Sequence, residues 1–241
     1  MGNLNPEILT MELKRGTLIY SFLIPILLVL TGCSKKEVII SNAGPVVTDV
    51  DGNVYHSIKI GTQTWMVENL KTTKYRNGDL IGTTTLMVLP RDNSSKYQWA
   101  YDNKESNATI YGRLYTWYAA TDTRSIAPVG WHVPNSREWM ILINYLGGTS
   151  LAGGKLKAKG ESFWKSPNFG ASNDSGFTAL PGGFWSGIFY QLGETANWWS
   201  VATPSYIDLS GDFFGVGYGF NGVSVWEYPM ENGLSVRCVQ D

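Results

Sequence analysis

The stretch from Gly130 to Gly148, GWHVPNSREWMILINYLGG, constrains this chain most, because it specifies both ends of one helix and the face that helix buries. Asn135 stands where it can cap the first turn. Glu138 is placed to reach back to the cap's own N–H, which makes a capping box with Asn in place of Ser or Thr. Trp139, Leu142, Ile143 and Leu146 recur at helical spacing as one apolar stripe, and Gly147 supplies a left-handed stop. Everything else reads as short β segments and loops. Ten Trp, 13 Tyr and 27 Gly in 241 residues mean that rings do much of the packing and that tight turns are frequent. The expected architecture is therefore α+β, two helices packed on short antiparallel sheets with much irregular loop.

The N-terminus predicts export. Lys14 and Arg15 precede an apolar run from Leu18 to Leu30, about 13 residues long and interrupted by Pro25, that ends in Leu30-Thr31-Gly32-Cys33. A spanning helix needs roughly 20 apolar residues, so the run fits a signal-peptide core better than a membrane span. An aliphatic residue and small residues before a Cys form a lipobox, which predicts a bacterial lipoprotein signal over residues 1–32 with Cys33 lipidated; the alternative is a free or buried Cys behind an ordinary secretion signal. Residues 1–10 lack leader character, so translation is expected to begin at Met11. Residues 33–48 read as a lipidated tether and 49–241 as one domain. The net charge is −1, and residues 1–32 carry two charges of each sign (Glu7, Glu12, Lys14, Arg15), so their removal leaves it unchanged. That balance excludes a nucleic-acid partner. With Cys33 lipidated, Cys238 has no partner for a disulfide and reads as a small buried hydrophobe.

Along the domain, Asp51-Gly52-Asn53 is a turn, and Val54 to Ile60 and Thr64 to Val67 around Gly61-Thr62-Gln63 form a β-hairpin. Residues 71–110 read as loops with edge strands around the apolar Leu86 to Leu89. Leu114, Trp117 and Tyr118 in YGRLYTWYAA fall at helical spacing and predict a first short helix over Tyr111 to Ala120. Gly176 to Gly183, GFTALPGG, reads as a short strand entering a turn. Strands then recur to the C-terminus, among them Asn197 to Ser200 and a final one from Leu234 to Val239.

Taken in order, DVDGNVYHSIKIGTQTWMVENL, YGRLYTWYAA, PVGWHVPNSREW, LGG, AGGKLK, GFTALPGG, WWS and SVRCV resemble the Fibrobacter succinogenes major paralogous domain over about residues 49–241. That family is common in exported bacterial lipoproteins. The GWHVP…EW block and the closing VRCV are also similar to the formylglycine-generating branch of the C-type-lectin-like fold, which implies a C-type-lectin-like core. Family members often carry a Cys near YDN; Gln98 to Asn103 has none, so the resemblance supplies no bridge to Cys238. The copper-binding Cys pair of the formylglycine-generating enzymes cannot be placed either, which argues against oxidase chemistry.

No motif carries an enzyme signature. No carboxylate pair sits in a recognisable glycosidase context, though spacing in sequence does not exclude a spatial pair. His56 and His132 lack metal-ligand spacing, and His132 is expected to be a packed histidine bonded to backbone. Two oxygen-rich clusters are candidate calcium sites, Asp49/Asp51/Asn53 and Asn173/Asp174 with Ser175, yet the first lacks a closing Glu, and tight turns use the same residues. The candidates for ligand recognition are the aromatics Trp185, Tyr190, Trp198, Trp199, Tyr206 and Trp226, whose flat faces stack on sugar C–H faces while Gln191 and Asn197 serve hydroxyls. The competing reading of each ring is core. Trp198 and Trp199, adjacent in a strand, point to opposite faces, so at most one is free. The sequence thus predicts a non-catalytic lipoprotein, anchored to the membrane through Cys33 at the cell envelope, on the outer membrane. Its domain binds or adheres, with a polysaccharide or surface protein as candidate partner. The alternatives are a structural envelope protein, a protein interaction module, or an unrecognised polysaccharide hydrolase.

Overall fold

The computed structural model describes residues 42–201 and 209–241. The leader, Met11, Cys33 and Tyr206 lie outside them. In chain order the elements are β1 (Val47–Thr48), β2 (Val54–Tyr55), β3 (Ser57–Ile60), β4 (Gln63–Met66), β5 (Gln98–Trp99), helix α1 (Glu105–Tyr111), β6 (Leu114–Thr116), α2 (Trp117–Ala120), β7 (Trp131–His132), α3 (Ser136–Tyr145) and α4 (Ala152–Leu156). The C-terminal part is all strand: β8 (Phe184–Ser186), β9 (Ile188–Tyr190), β10 (Thr195–Trp199), β11 (Ser210–Gly217), β12 (Ser224–Pro229), β13 (Gly233–Ser235) and β14 (Val239–Gln240). The fold is mixed α+β, mostly sheet, and among the described residues no sheet closes into a barrel. No helix among them is long and apolar enough to cross a membrane.

The largest sheet runs β12-β11-β10-β13-β6-β5, with the β8–β9 hairpin joined to β13; a second sheet runs β3-β4-β14-β7, and β1 pairs with β2. Helix α3 starts as its capping box requires: Asn135 Oδ1 accepts from Glu138 N at 3.0 Å, and Glu138 Oε2 accepts from Asn135 N at 2.9 Å. Its stripe of Trp139, Leu142, Ile143 and Leu146 is buried between the two larger sheets, against Trp65 and Val239 on one side and Trp198, Phe214 and Val216 on the other. Burying these side chains stabilises the domain by about 1.5–3 kcal/mol each, so the helix is held by packing more than by its own propensity.

Several expectations are corrected. Among the described residues there are four short helices, not two. YGRLYTWYAA is helical only over Trp117–Ala120, because Leu114–Thr116 pairs with β13 and β5 in the central sheet. The helix that precedes it, Glu105–Tyr111, ends at Gly112, whose φ of 80° no Cβ-bearing residue adopts cheaply. GFTALPGG forms no strand, only isolated bridges at Ala179 and Gly183. The final strand is broken into β13 and β14, which join different sheets. The domain also starts before residue 49: Lys59 N donates to Asn42 O at 2.8 Å, Gly44 N to Ser57 O at 2.8 Å, and Val47–Thr48 pairs with β2. Residues 42–48 therefore belong to the fold and not to a tether.

Candidate functional site

Side chains alternate along β10, so Ala196 and Trp198 face α3 while Asn197 and Trp199 face away from it. On that second face the register sets Phe213 opposite Trp226 and Gly211 opposite Tyr228. The β8–β9 hairpin adds Phe184, paired with Tyr190. The rings are contiguous: Phe184 stacks on Tyr190 with centroids 5.3 Å apart, and Tyr228 meets Phe184 at 5.8 Å and Phe213 at 5.7 Å. Phe184, Phe213 and Tyr228 line a small pocket of about 130 Å³ with Gln191, Asn197 and Leu234. A Cβ at Gly215 would lie 2.6 Å from Asn197 Oδ1, so glycine there is what lets the amide lie across the strand.

The pocket's polar rim is a relay. Asn197 Nδ2 donates to Thr195 Oγ1 at 2.9 Å, and Thr195 Oγ1 donates to Gln191 Oε1 at 3.1 Å. Gln191 Nε2 and Asn197 Oδ1 keep no partner among the described residues, one a donor and the other an acceptor. No charged residue lines the pocket. Asp212 and Glu227, paired in register, alternate to the opposite side, where Asp212 Oδ2 accepts from Ser136 Oγ at 2.6 Å. Burial pushes the Tyr228 phenol above its ordinary value, so this hydroxyl stays neutral.

Of the aromatics singled out in the sequence, Trp226 (68% exposed) and Tyr190 (41%) are accessible. Trp185, Trp198 and Trp199 are buried and present no face to a ligand. Trp185 stacks on Trp99 at 4.4 Å; Trp198 Nε1 donates to Asn69 Oδ1 at 2.8 Å; Trp199 Nε1 donates to Tyr115 O at 2.7 Å. The two neighbouring tryptophans do point to opposite sides of the sheet, but each side there is core. Phe213 escaped the sequence reading. Its signal was the alternation in FFGVGYG, which puts Phe213 and Gly215 on one face of a strand.

The oxygen-rich clusters are built as turns. Asp49 Oδ1 accepts from the backbone N–H groups of Asp51 and Asn53 at 2.9 Å each, and Asp49 Oδ2 accepts from Asn53 Nδ2 at 2.9 Å and Tyr55 Oη at 2.6 Å. Asp51 is turned away to Thr73 and Lys74, whose hydrogen bonds hold its carboxyl below the usual range although burial works the other way. Asn173 Oδ1 accepts from Thr178 N at 2.9 Å, and the neighbouring Asp174 N donates to Ser172 Oγ at 3.3 Å. Among the described residues no group of three His, Cys, Asp or Glu side chains could hold a metal ion.

His132 is not bonded to backbone, as the sequence suggested. Its Nδ1 lies 2.7 Å from Asp241 Oδ1 and its Nε2 2.8 Å from Glu138 Oε1, so both nitrogens are committed to carboxylates and neither is free to activate a hydroxyl. Burial lowers its pKa, yet the two carboxylates outweigh that and raise it overall. Cys238 is buried and free, and burial pushes its thiol far up, the opposite of a nucleophile's environment.

The motif residues converge on one interior. Asn69 Oδ1 accepts from Trp198 Nε1 and, at 3.0 Å, from Arg237 Nε, while Asn69 Nδ2 donates to Tyr111 O at 2.8 Å. Arg237, buried, also donates to Phe177 O and lies over the Phe177 ring with its guanidinium carbon 4.0 Å from the centroid. Lys157, wholly buried, donates from Nζ to the carbonyls of Phe169, Gly217 and Phe220 at 2.8 Å each. Several motifs thus contribute a side chain that holds distant loops together.

Fold and motif placement define an aromatic-cored α+β domain whose motif residues lie in its interior. The chain belongs to the Fibrobacter succinogenes major domain family, whose model matches residues 58–240. No curated protein and no solved structure matches it, so the C-type-lectin-like comparison has no structural neighbour behind it.

Proposed function

We propose that this protein is a non-catalytic glycan-binding lipoprotein of the cell envelope, and that the Phe184–Tyr190–Phe213–Trp226–Tyr228 face is its binding surface. One observation carries the reading: Phe184, Tyr190, Phe213 and Tyr228 are in contiguous ring contact at a pocket with no charged lining, Tyr190 and Trp226 are exposed, and an amide donor and acceptor stand unpartnered at the pocket rim. Sugars have apolar C–H faces and a hydroxyl perimeter, and this surface offers the complement of both. Covering about 60 Å² of such a face gives roughly 1.5 kcal/mol, or about tenfold in affinity, per stacked unit. No carboxylate, His or Cys lines the pocket, which supports binding over hydrolysis. The domain on this reading is a C-type-lectin-like core that needs no calcium, since the oxygens of Asp49 and Asp51 are already taken by N–H, O–H and ammonium donors.

The anchor is a lipid on Cys33, which holds the domain at the outer membrane. Radiolabelled palmitate incorporated by the wild type and not by Cys33→Ser tests this. The binding test is a panel of plant, host and bacterial polysaccharides against the full-length chain in mild detergent, with and without calcium. The expected result is a hit, indifferent to a chelator, that Tyr190→Ala and Trp226→Ala weaken without lowering the melting temperature. Folded protein that binds nothing on the panel refutes it. A second reading, docking of a surface protein, is favoured by the exposed Leu86, Met87 and Val88 beside Ile188.

A further inference from the structure

The same face restricts which part of which glycan it takes. The pocket's 130 Å³ falls well short of the roughly 300 Å³ at which pockets hold drug-sized ligands, so it has room for one sugar ring and not for a run of them. Rings wall it through Phe184, Tyr228 and Phe213 in continuous contact, and Leu234, buried, lies among its lining. Trp226 stands outside that enclosure, across the ladder from Phe213 on the same face. Directly opposed residues have Cβ atoms about 4.5–5.5 Å apart, which sets the Trp226 ring about one sugar unit from the pocket. The third observation is charge: no charged side chain lines the pocket, and the charged side chains that border the surface depression at Trp226 (Asp212 and Glu227) are both carboxylates. A carboxylate or sulfate entering there would lose its hydration with no counter-charge to replace it.

We infer that the site takes the neutral end of an oligosaccharide: a terminal hexopyranose enters between Phe184, Phe213 and Tyr228, and the next unit stacks on Trp226. Gln191 Nε2 donates to a hydroxyl of the terminal ring and Asn197 Oδ1 accepts from one. This inference rests on the glycan reading above and narrows it. An acidic polysaccharide, or an internal stretch of a long chain, is not what the pocket selects.

The test uses the full-length chain in mild detergent and calorimetric titration with neutral gluco-, galacto- and manno-configured monosaccharides, their disaccharides, and the disaccharides whose terminal unit is the corresponding uronic acid. Trp226→Ala and Gln191→Ala change accessible side chains and leave the core intact. The expected result is a disaccharide bound about tenfold tighter than its monosaccharide, a gain that Trp226→Ala erases while leaving the monosaccharide unchanged. Gln191→Ala should weaken both sugars, and a terminal uronate should cost at least tenfold. Uronates bound as tightly as neutral sugars, or Trp226→Ala weakening monosaccharide and disaccharide alike, would overturn this inference while glycan binding stands. Folded protein that binds no sugar of either kind would overturn both.

Discussion

Asn69 is the residue on which the interior should depend most for its size. It is buried, its Oδ1 is shared by the Trp198 indole and the Arg237 guanidinium, and its Nδ2 serves the Tyr111 carbonyl. Asn69→Ala removes all three partnerships in a place water does not reach. A buried hydrogen bond to a charged group contributes about 1.5–3 kcal/mol, and each neutral group left unpaired costs about 1–3 kcal/mol, so the loss should be roughly 4–6 kcal/mol. Against a whole-domain stability of about 5–15 kcal/mol that is a large fraction. With a urea slope of about 2–3 kcal/mol per molar, the midpoint should fall by roughly 2 M. Arg237→Met supplies the second half of the argument. It removes the buried cation that burial already disfavours, its pKa lying below the ordinary guanidinium value. In the double variant the unpaired charge is gone, so its cost should be about 2 kcal/mol less than the sum of the singles. Equilibrium urea unfolding followed by tryptophan fluorescence measures all three. An Asn69→Ala cost under about 1 kcal/mol, or strict additivity, would refute the account of Asn69 as the acceptor that makes the buried arginine tolerable.

Two titrations test the half-exposed His132 and the buried Lys157. The His132 pKa is raised above 6.5 in the folded state, so its stabilisation is fully present below that value and is lost as pH climbs through the folded pKa. The melting temperature of the wild type should therefore fall relative to His132→Gln as pH rises above 6.5; parallel curves would show that the imidazole contributes nothing. Lys157 shifts the other way, lowered by burial from 10.5 to about 8, so the unfolded chain holds the extra proton between those values. Stability relative to Lys157→Met should then rise as pH increases across that window; a fall would mean that the three carbonyls outweigh the lost hydration.

Helix α3 was legible because both ends and the buried face are written locally: the Asn135–Glu138 box, the Trp139–Leu146 stripe and the Gly147 stop need no knowledge of the rest of the chain. The β3–β4 hairpin was legible for the same reason. Leu114–Thr116 was misread because its helical spacing is overruled by partners more than a hundred residues away in β13, and long-range pairing leaves no local trace. The break between β13 and β14 is of the same kind. Val236 to Cys238 looks strand-like in sequence, but Arg237 must turn inward to reach Asn69 and Phe177, and the chain leaves one sheet for another around it.

For the candidate site, the composition drew attention to a segment whose most conspicuous rings are core. Trp198 and Trp199 are the most conspicuous residues there, yet a large ring in the middle strand of a sheet covered on both sides can only be core. Accessibility belongs to β12 at the sheet's end and to the β8–β9 hairpin, so Trp226 and Tyr190 stay open where the tryptophans of β10 do not. The same distinction governs what family membership conveys. The motif residues Asn69, Trp139, Lys157, Phe177, Trp198 and Arg237 are all interior, each fixing a loop or sheet to another. Phe184, Tyr190, Phe213, Trp226 and Tyr228 lie outside every one of those motifs. Exchange of the exposed Tyr190 and Trp226 should therefore leave those interior motif contacts in place at modest stability cost, whereas Phe184, Phe213 and Tyr228 also pack on the core. The motifs specify the fold; on the proposed reading, the ligand is specified by residues outside them.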